Sequence, residues 1–245
     1  MTVKMMKMNK FKIGIVIADS DEYKPLEEYI EKGEFEEYSF LKRKGHKFSV
    51  STENGKAEVI SILCGIGKVN ATAIAAHFVD IGCDFILNFG LSGGISGISK
   101  GEICICDRFL EHDFDLTGIG YKPCEKPSQK YIYEADKYLA GIMKSILPEA
   151  KNGTAVSGDS FICDDALRIK FRDEFGAMSC DMETAAIAYV CDFAEVPFLA
   201  LRRISDDAGN DAGDSYREMN ILSEAVLSDL IIDLIRAVIN NKANG

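Results

Sequence analysis

The chain has 245 residues, 47% of them hydrophobic and 27% charged, enough for one large domain that buries roughly 70–75% of its unfolded surface. Its 28 Lys and Arg stand against 39 Asp and Glu, a net charge of −11. With no basic run to offset that balance it would repel a polyanion, so general nucleic-acid binding is excluded.

The longest apolar stretches, residues 85–89 and 230–235, are far shorter than the ~20 residues of a membrane span. The amino terminus, MTVKMMKMNKFK, interrupts its apolar positions with lysines and has no small-residue cleavage site. It does not read as a signal peptide; a cytoplasmic location is expected, with residues 1–11 flexible. Cys64, Cys83, Cys104, Cys106, Cys163, Cys180 and Cys191 sit in apolar or small-residue segments of a chain too large to need disulfide staples, and read as free core thiols. With no C-x-x-C pair and only His46, His77 and His112 besides, no metal site is expected.

In chain order, residues 12–18 (KIGIVIA) form the first buried strand. The acidic turn Asp19-Ser20-Asp21-Glu22 leads into a helix over residues 25–32, with Pro25 in its first turn. Residues 47–52 and 57–64 flank Asn54-Gly55, the strongest short hairpin signal, which makes the sheet mixed. After Gly65-Ile66-Gly67-Lys68 comes an Ala-rich helix over 69–81, then a strand over 85–89 (FILNF) that ends in a glycine turn at 90–94. A strand over 101–107, an amphipathic helix over 133–146, a strand over 154–157 and a helix over 164–174 follow. A short strand ends near Asp181, a helix runs over 183–194, Pro197 opens a strand over 198–204, and a long helix closes the chain over 219–239. Apolar runs of strand length alternating with helical periods predict an α/β fold, a three-layer αβα single domain with a central, mostly parallel mixed sheet. No linker or repeat divides residues 1–245.

Neither glycine turn is a standard nucleotide motif. Asn70 replaces the third glycine of the dinucleotide fingerprint, and Gly67-Lys68 is followed by Val69 rather than Ser or Thr. The strand ends are more informative, because ligands of open α/β sheets gather outside the carboxyl ends of the strands. That edge carries Glu22, the 90–94 turn, Asp181, Glu183, Ser205 and Asp206. Asp19 or Asp181 alone reads better as a helix cap. Several carboxylates without a basic partner point to an uncharged polyol or base, such as a sugar or nucleoside. DDAGNDAGD at 206–214 suggests a calcium loop, but Arg217 stands where the bidentate Glu should be. A mobile loop beside the site is expected instead.

These stretches resemble the 5'-methylthioadenosine/S-adenosylhomocysteine nucleosidases, within the wider nucleoside phosphorylase and nucleosidase superfamily. The similarity is carried by KIGIVIADSDEY at 12–23, CGIGKVNAT at 64–72, NFGLSGG at 88–94, HDFDLTGIGY at 112–121, SGDSFI at 157–162, DMETAAIA at 181–188 and RRISD at 202–206. It implies a phosphorylase/hydrolase-like fold, a cofactor-free hydrolysis of a purine N-glycosidic bond in methionine salvage, a small nucleoside as ligand and a homodimer. By the resemblance, Asp206 is the general acid that protonates N7 of adenine, with Ser205 holding its carboxyl. Glu22 positions and activates the water, and Glu183 accepts from the ribose hydroxyls. Phe161 stacks on the base, the Ile162 backbone reads its edge, and Met182 packs on the ribose. Leu116, Ile119, Pro127 and Tyr216 surround the 5' substituent, several of them from a neighbouring subunit. Gly93, Leu91 and Asp19 lie beside the substrate; Leu91 replaces a Ser common in the family, and Asp19 an apolar residue. The rival enzyme is a purine nucleoside phosphorylase, whose members have an Arg where Asn88 stands. Leu91 and Asp19 also allow a non-catalytic nucleoside binder.

Overall fold

The computed structural model describes residues 10–218 and 225–243. The strands are β1 (Lys10–Ile17), β2 (Phe35–Phe40), β3 (Arg43–Thr52), β4 (Gly55–Leu63), β5 (Phe85–Gly94), β6 (Ile103–Glu111), β7 (Tyr133–Glu134), β8 (Lys151–Ser157), β9 (Ala177–Asp181) and β10 (Phe198–Asp206). The helices are α1 (Ser20–Ile30), α2 (Lys68–Asp80), α3 (Lys137–Ile146), α4 (Asp165–Phe175), α5 (Thr184–Phe193), α6 (Ala212–Glu218) and α7 (Ala225–Ala243).

All ten strands join one sheet. At one end β2, β3 and β4 run antiparallel, and β4 pairs in parallel with β1, which pairs in parallel with β5. Beyond β5 the sheet closes on itself. β5 pairs with β10, β10 with β6, β6 with β8, β8 with β9, and β9 returns antiparallel to the last two residues of β5. Ile13, Ile15, Val16, Ile17, Ile86, Leu87, Leu199 and Leu201 are fully buried, the signature of strands covered on both faces. α2 packs with α5, while α7 packs with α1 and α3, which makes the layers α, β, α as the alternation predicts. The sheet is mixed, as expected, with parallel pairings joining β4, β1, β5 and β10 and antiparallel ones adding β2 and β3 at one end. Among the described residues no helix is long and apolar enough to cross a membrane.

Several elements differ from expectation, each for a local reason. α1 begins at Ser20, because the Asp19 side chain accepts from the Asp21 amide and caps the helix there; Pro25 is therefore its sixth residue, not in its first turn. β2 (FEEYSF) lacks an apolar stripe, being a mostly exposed edge, and it turns into β3 through Leu41 and Lys42 at φ 48° and 60°, with no Gly or Asn to announce the turn. Residues 133–146 divide into β7 and α3 because Asp136 caps the helix at Leu139. Lys10 and Phe11, expected in a flexible leader, belong to β1, and Cys163 is exposed rather than a core thiol. Residues 1–9, the rest of that leader, and residues 219–224, the expected start of the closing helix, lie outside the described residues.

The glycines at 90–94 are not a turn at all. They continue β5, paired with β10 as far as Gly93 opposite Asp206. Their role is close approach: a Cβ on Gly90 would stand 2.6 Å from the Glu22 carboxylate, and one on Gly93 3.1 Å from Asp206 Oδ1.

Candidate active site

The strand ends enclose a cavity of about 480 Å³ lined by Glu22, Glu183, Asp206, Phe161, Ile162 and Met182, together with Asp19, Leu91, Gly93, Ser205 and Tyr216. These eleven expected residues therefore meet in one place. Leu116, Ile119 and Pro127 do not line it; Leu116 and Ile119 flank and enter a short 3-10 turn at Thr117–Ile119, where Ile119 is 74% exposed. Within this chain the 5' pocket expected from them is missing three of its four members.

Each acid reaches the cavity by a different device. Glu22 lies in the first turn of α1 and projects into the space that Gly90 leaves open, where the Leu91 amide donates to Oε1 at 2.6 Å. Burial pushes its carboxyl up to about 8; Arg202 works against that rise, and Glu183 and Asp19 add to it. Glu183 lies between β9 and α5 and accepts from the Gly67 amide at 2.8 Å. Burial and the neighbouring Asp181 raise it to about 7. Asp206 ends β10, just past a register shift that sets Ser205 as a bulge. The Ser205 hydroxyl donates to Asp206 Oδ2 at 2.7 Å and the Ala208 amide to Oδ1 at 2.8 Å. Burial outweighs both donors, and the Asp206 carboxyl is raised from its ordinary value. A carboxyl raised in this way is better suited than an ordinary aspartate to donate a proton.

Beneath the cavity floor lies a polar cluster that the sequence reading did not foresee. Arg202, 2% exposed, donates from Nε to Asp181 Oδ2 at 2.8 Å, and from its terminal nitrogen to Asn88 Oδ1 at 2.5 Å and Thr184 Oγ1 at 2.6 Å. Asp181 also accepts from Ser157 Oγ at 2.6 Å and from the Glu183 and Thr184 amides. Burial works against the Asp181 charge, but Arg202 and these donors hold its carboxyl below the ordinary range. The carboxylates are thus not without a basic partner. An arginine ending the apolar run FLALR at 198–202 was the available signal, since a charge in a buried strand has to be paired. Asn88 faces this cluster and the Val16 carbonyl, not the cavity.

Among the described residues no Lys or Arg lines the cavity, and no group of three or more His, Cys, Asp or Glu is placed to hold a metal. On the rim, Phe161 is 46% exposed and meets Tyr216 edge to face at 5.6 Å. Tyr216 stands on α6, so part of the loop expected to be mobile is helical.

A family model described as "Phosphorylase superfamily" matches residues 12–240. The chain belongs to the phosphorylase superfamily. Within it the chain stands with the nucleosidases, which are N-glycosyl hydrolases. The 5'-methylthioadenosine/S-adenosylhomocysteine nucleosidase of Buchnera aphidicola subsp. Schizaphis graminum is 32% identical over 94% of this chain and 98% of its own length. The aminodeoxyfutalosine nucleosidase of Campylobacter jejuni is 29% identical over 91% of this chain and 97% of its own. Among solved structures, the Helicobacter pylori 5'-methylthioadenosine/S-adenosylhomocysteine nucleosidase with butyl-thio-DADMe-Immucillin-A superposes with a TM-score of 0.86 at 27% identity, covering 94% of this nucleosidase and 99% of that chain. In this nucleosidase, then, the cavity at the strand ends occupies the place where substrates of open α/β sheets gather.

Proposed function

We propose that this nucleosidase hydrolyses the N-glycosidic bond of 5'-methylthioadenosine, S-adenosylhomocysteine or a related 5'-substituted adenosine and releases adenine. The observation that carries the reading is the convergence of Glu22, Glu183 and Asp206 on one cavity that, among the described residues, no Lys or Arg lines. Breaking the bond needs a proton on the departing base, stabilisation of a cationic sugar and a water at the anomeric carbon. Asp206, its carboxyl raised by burial, supplies the proton to N7, and Ser205 orients it. Glu183 accepts from the ribose hydroxyls and, once ionised, faces the developing positive charge. Glu22 orients the water and, once ionised, takes its proton. Phe161 stacks on the base, with Ile162 at its edge and Met182 against the ribose.

Hydrolysis rather than phosphorolysis is favoured because a phosphate would meet carboxylates with no facing cation among the described residues. Arg202 is buried beneath the floor and paired with Asp181. Adenine release should be the same with and without phosphate, and an absolute need for phosphate would refute the hydrolytic reading. Measured over a panel of methylthioadenosine, S-adenosylhomocysteine, 5'-deoxyadenosine and aminodeoxyfutalosine, the same assay identifies the preferred 5' group. No release from any of them over hours, with binding retained, would make the protein a nucleoside binder.

We further propose a cytoplasmic enzyme of methionine salvage that works as a homodimer. The segment from Leu116 to Pro127, exposed over residues 117–123, would complete the neighbouring subunit's 5' pocket. A dimer-sized mass by light scattering is expected, and a fully active monomer would exclude it.

A further inference from the structure

We propose that Tyr23 is a positioning residue for Glu22, fastening the start of α1 to the sheet so that the adjacent carboxylate stays seated against the cavity floor. The inference rests on the water-orienting role proposed for Glu22.

Tyr23 is 3% exposed, and its hydroxyl lies 2.6 Å from His46 Nδ1 on β3 and 2.9 Å from Ser61 Oγ on β4. His46 Nε2 is turned toward Glu37 Oε1 at 3.8 Å. A proton on that nitrogen leaves Nδ1 to accept the Tyr23 O–H, while the Tyr23 oxygen accepts from Ser61. His46 and Ser61 are buried as well. Three polar side chains set into the core between a helix and two strands cost stability unless each finds a partner, and nothing in the hydrolysis uses them.

Their place beside Glu22 explains them. Consecutive helix residues point about 100° apart, so Tyr23 faces β3 and β4 while Glu22 faces the cavity. The start of α1 is weakly held by its own backbone, since Pro25 has no N–H to give the Asp21 carbonyl. The Asp19 cap and the bond from the Tyr23 amide to the Asp19 carbonyl at 3.0 Å remain. Glu22 is held at its tip by the Leu91 amide at 2.6 Å, in a hollow left by Gly90. A helix slip of an ångström would break that contact, and misplacement on this scale costs on the order of 10²-fold in rate. Two hydrogen bonds from Tyr23 to different strands resist the slip.

Tyr23→Phe removes only the oxygen and keeps the ring. Turnover of adenine release should fall about tenfold, part of the penalty for full misplacement, with KM within about twofold because the contacts to base and ribose lie on other elements. In a Glu22→Gln background, read by single-turnover release with enzyme in excess, Tyr23→Phe should cause no further loss. Ser61→Ala, which leaves Tyr23 only His46, should give the same pattern at smaller amplitude and replaces Tyr23→Phe if that variant does not fold. Wild-type turnover in the folded variants, a loss of equal size in both backgrounds, or a rise in KM alone would overturn the proposal. If Glu22→Gln itself keeps the wild-type rate, the role of Glu22 fails and takes this inference with it, a result distinct from all of these.

Discussion

Replacing Glu22 by Gln should stabilise the folded protein increasingly as pH rises. In the fold the Glu22 carboxyl keeps its proton up to about 8, against an ordinary value of 4.5. Between those two values the unfolded chain has released the proton and the folded one retains it. The folded state binds more protons there, so stability falls as pH rises through the window and stays lowered above it. Evaluated between pH 5.5 and pH 8, this one group lowers stability by about 3 kcal/mol at ~1.4 kcal/mol per pH unit. Gln does not titrate, and its carbonyl can still accept from the Leu91 amide. The difference in unfolding free energy between variant and wild type should therefore grow by about 3 kcal/mol across that range, a relative shift on the order of 1 M in urea midpoint. Glu183, raised to about 7, adds a slope of the same sign to both proteins and largely cancels in the difference. Urea titrations of both proteins at the two pH values measure it. A constant difference would mean that Glu22 is already ionised in the fold at pH 5.5, and would remove the argument that its burial stores a proton.

The other predictions concern the reaction. Asp206→Asn should lower turnover by about 10²–10⁴-fold or more, because an amide has no acidic proton to give the base, while calorimetric binding of a neutral nucleoside stays near wild type; substantial turnover would remove Asp206 from the acid role. Gly90→Ala should leave the fold intact but drive the Glu22 carboxylate off the Leu91 amide, since the new methyl would stand 2.6–2.8 Å from its atoms. Its turnover should then approach that of Glu22→Gln, and an unimpaired Gly90→Ala enzyme would show that this contact does not matter.

The order of elements was legible wherever burial and period agreed. KIGIVIA and FILNF are apolar apart from Lys12 and Asn88 because helices cover both faces of β1 and β5, and the Asp164 cap sits where the helix start requires it. β2 escaped because an exposed edge strand such as FEEYSF has no burial to pattern it. The glycines at 90–94 misled because Gly ordinarily marks a turn, whereas here they make room inside a strand for carboxylates arriving from α1 and β10. Glu22, Glu183 and Asp206 could be located from their strand-end positions. Their electrostatic setting could not, because it depends on Arg202 finding Asp181, Asn88 and Thr184 across three separate segments. The pocket for the 5' group was legible only as a resemblance, since three of its four expected residues stand away from this chain's own cavity.

The circuit formed by β5, β10, β6, β8 and β9 also governs how the protein comes apart. An open sheet can fray from its outermost strand, but a closed circuit has no outermost strand to peel. Asp206 at the end of β10, Glu183 just after β9, and Phe161 just after β8 hang on that circuit, and Glu22 is clasped to it through Leu91. Backbone amides of these five strands should exchange with solvent in one late step, and catalytic capacity should disappear in that same step rather than erode ahead of it.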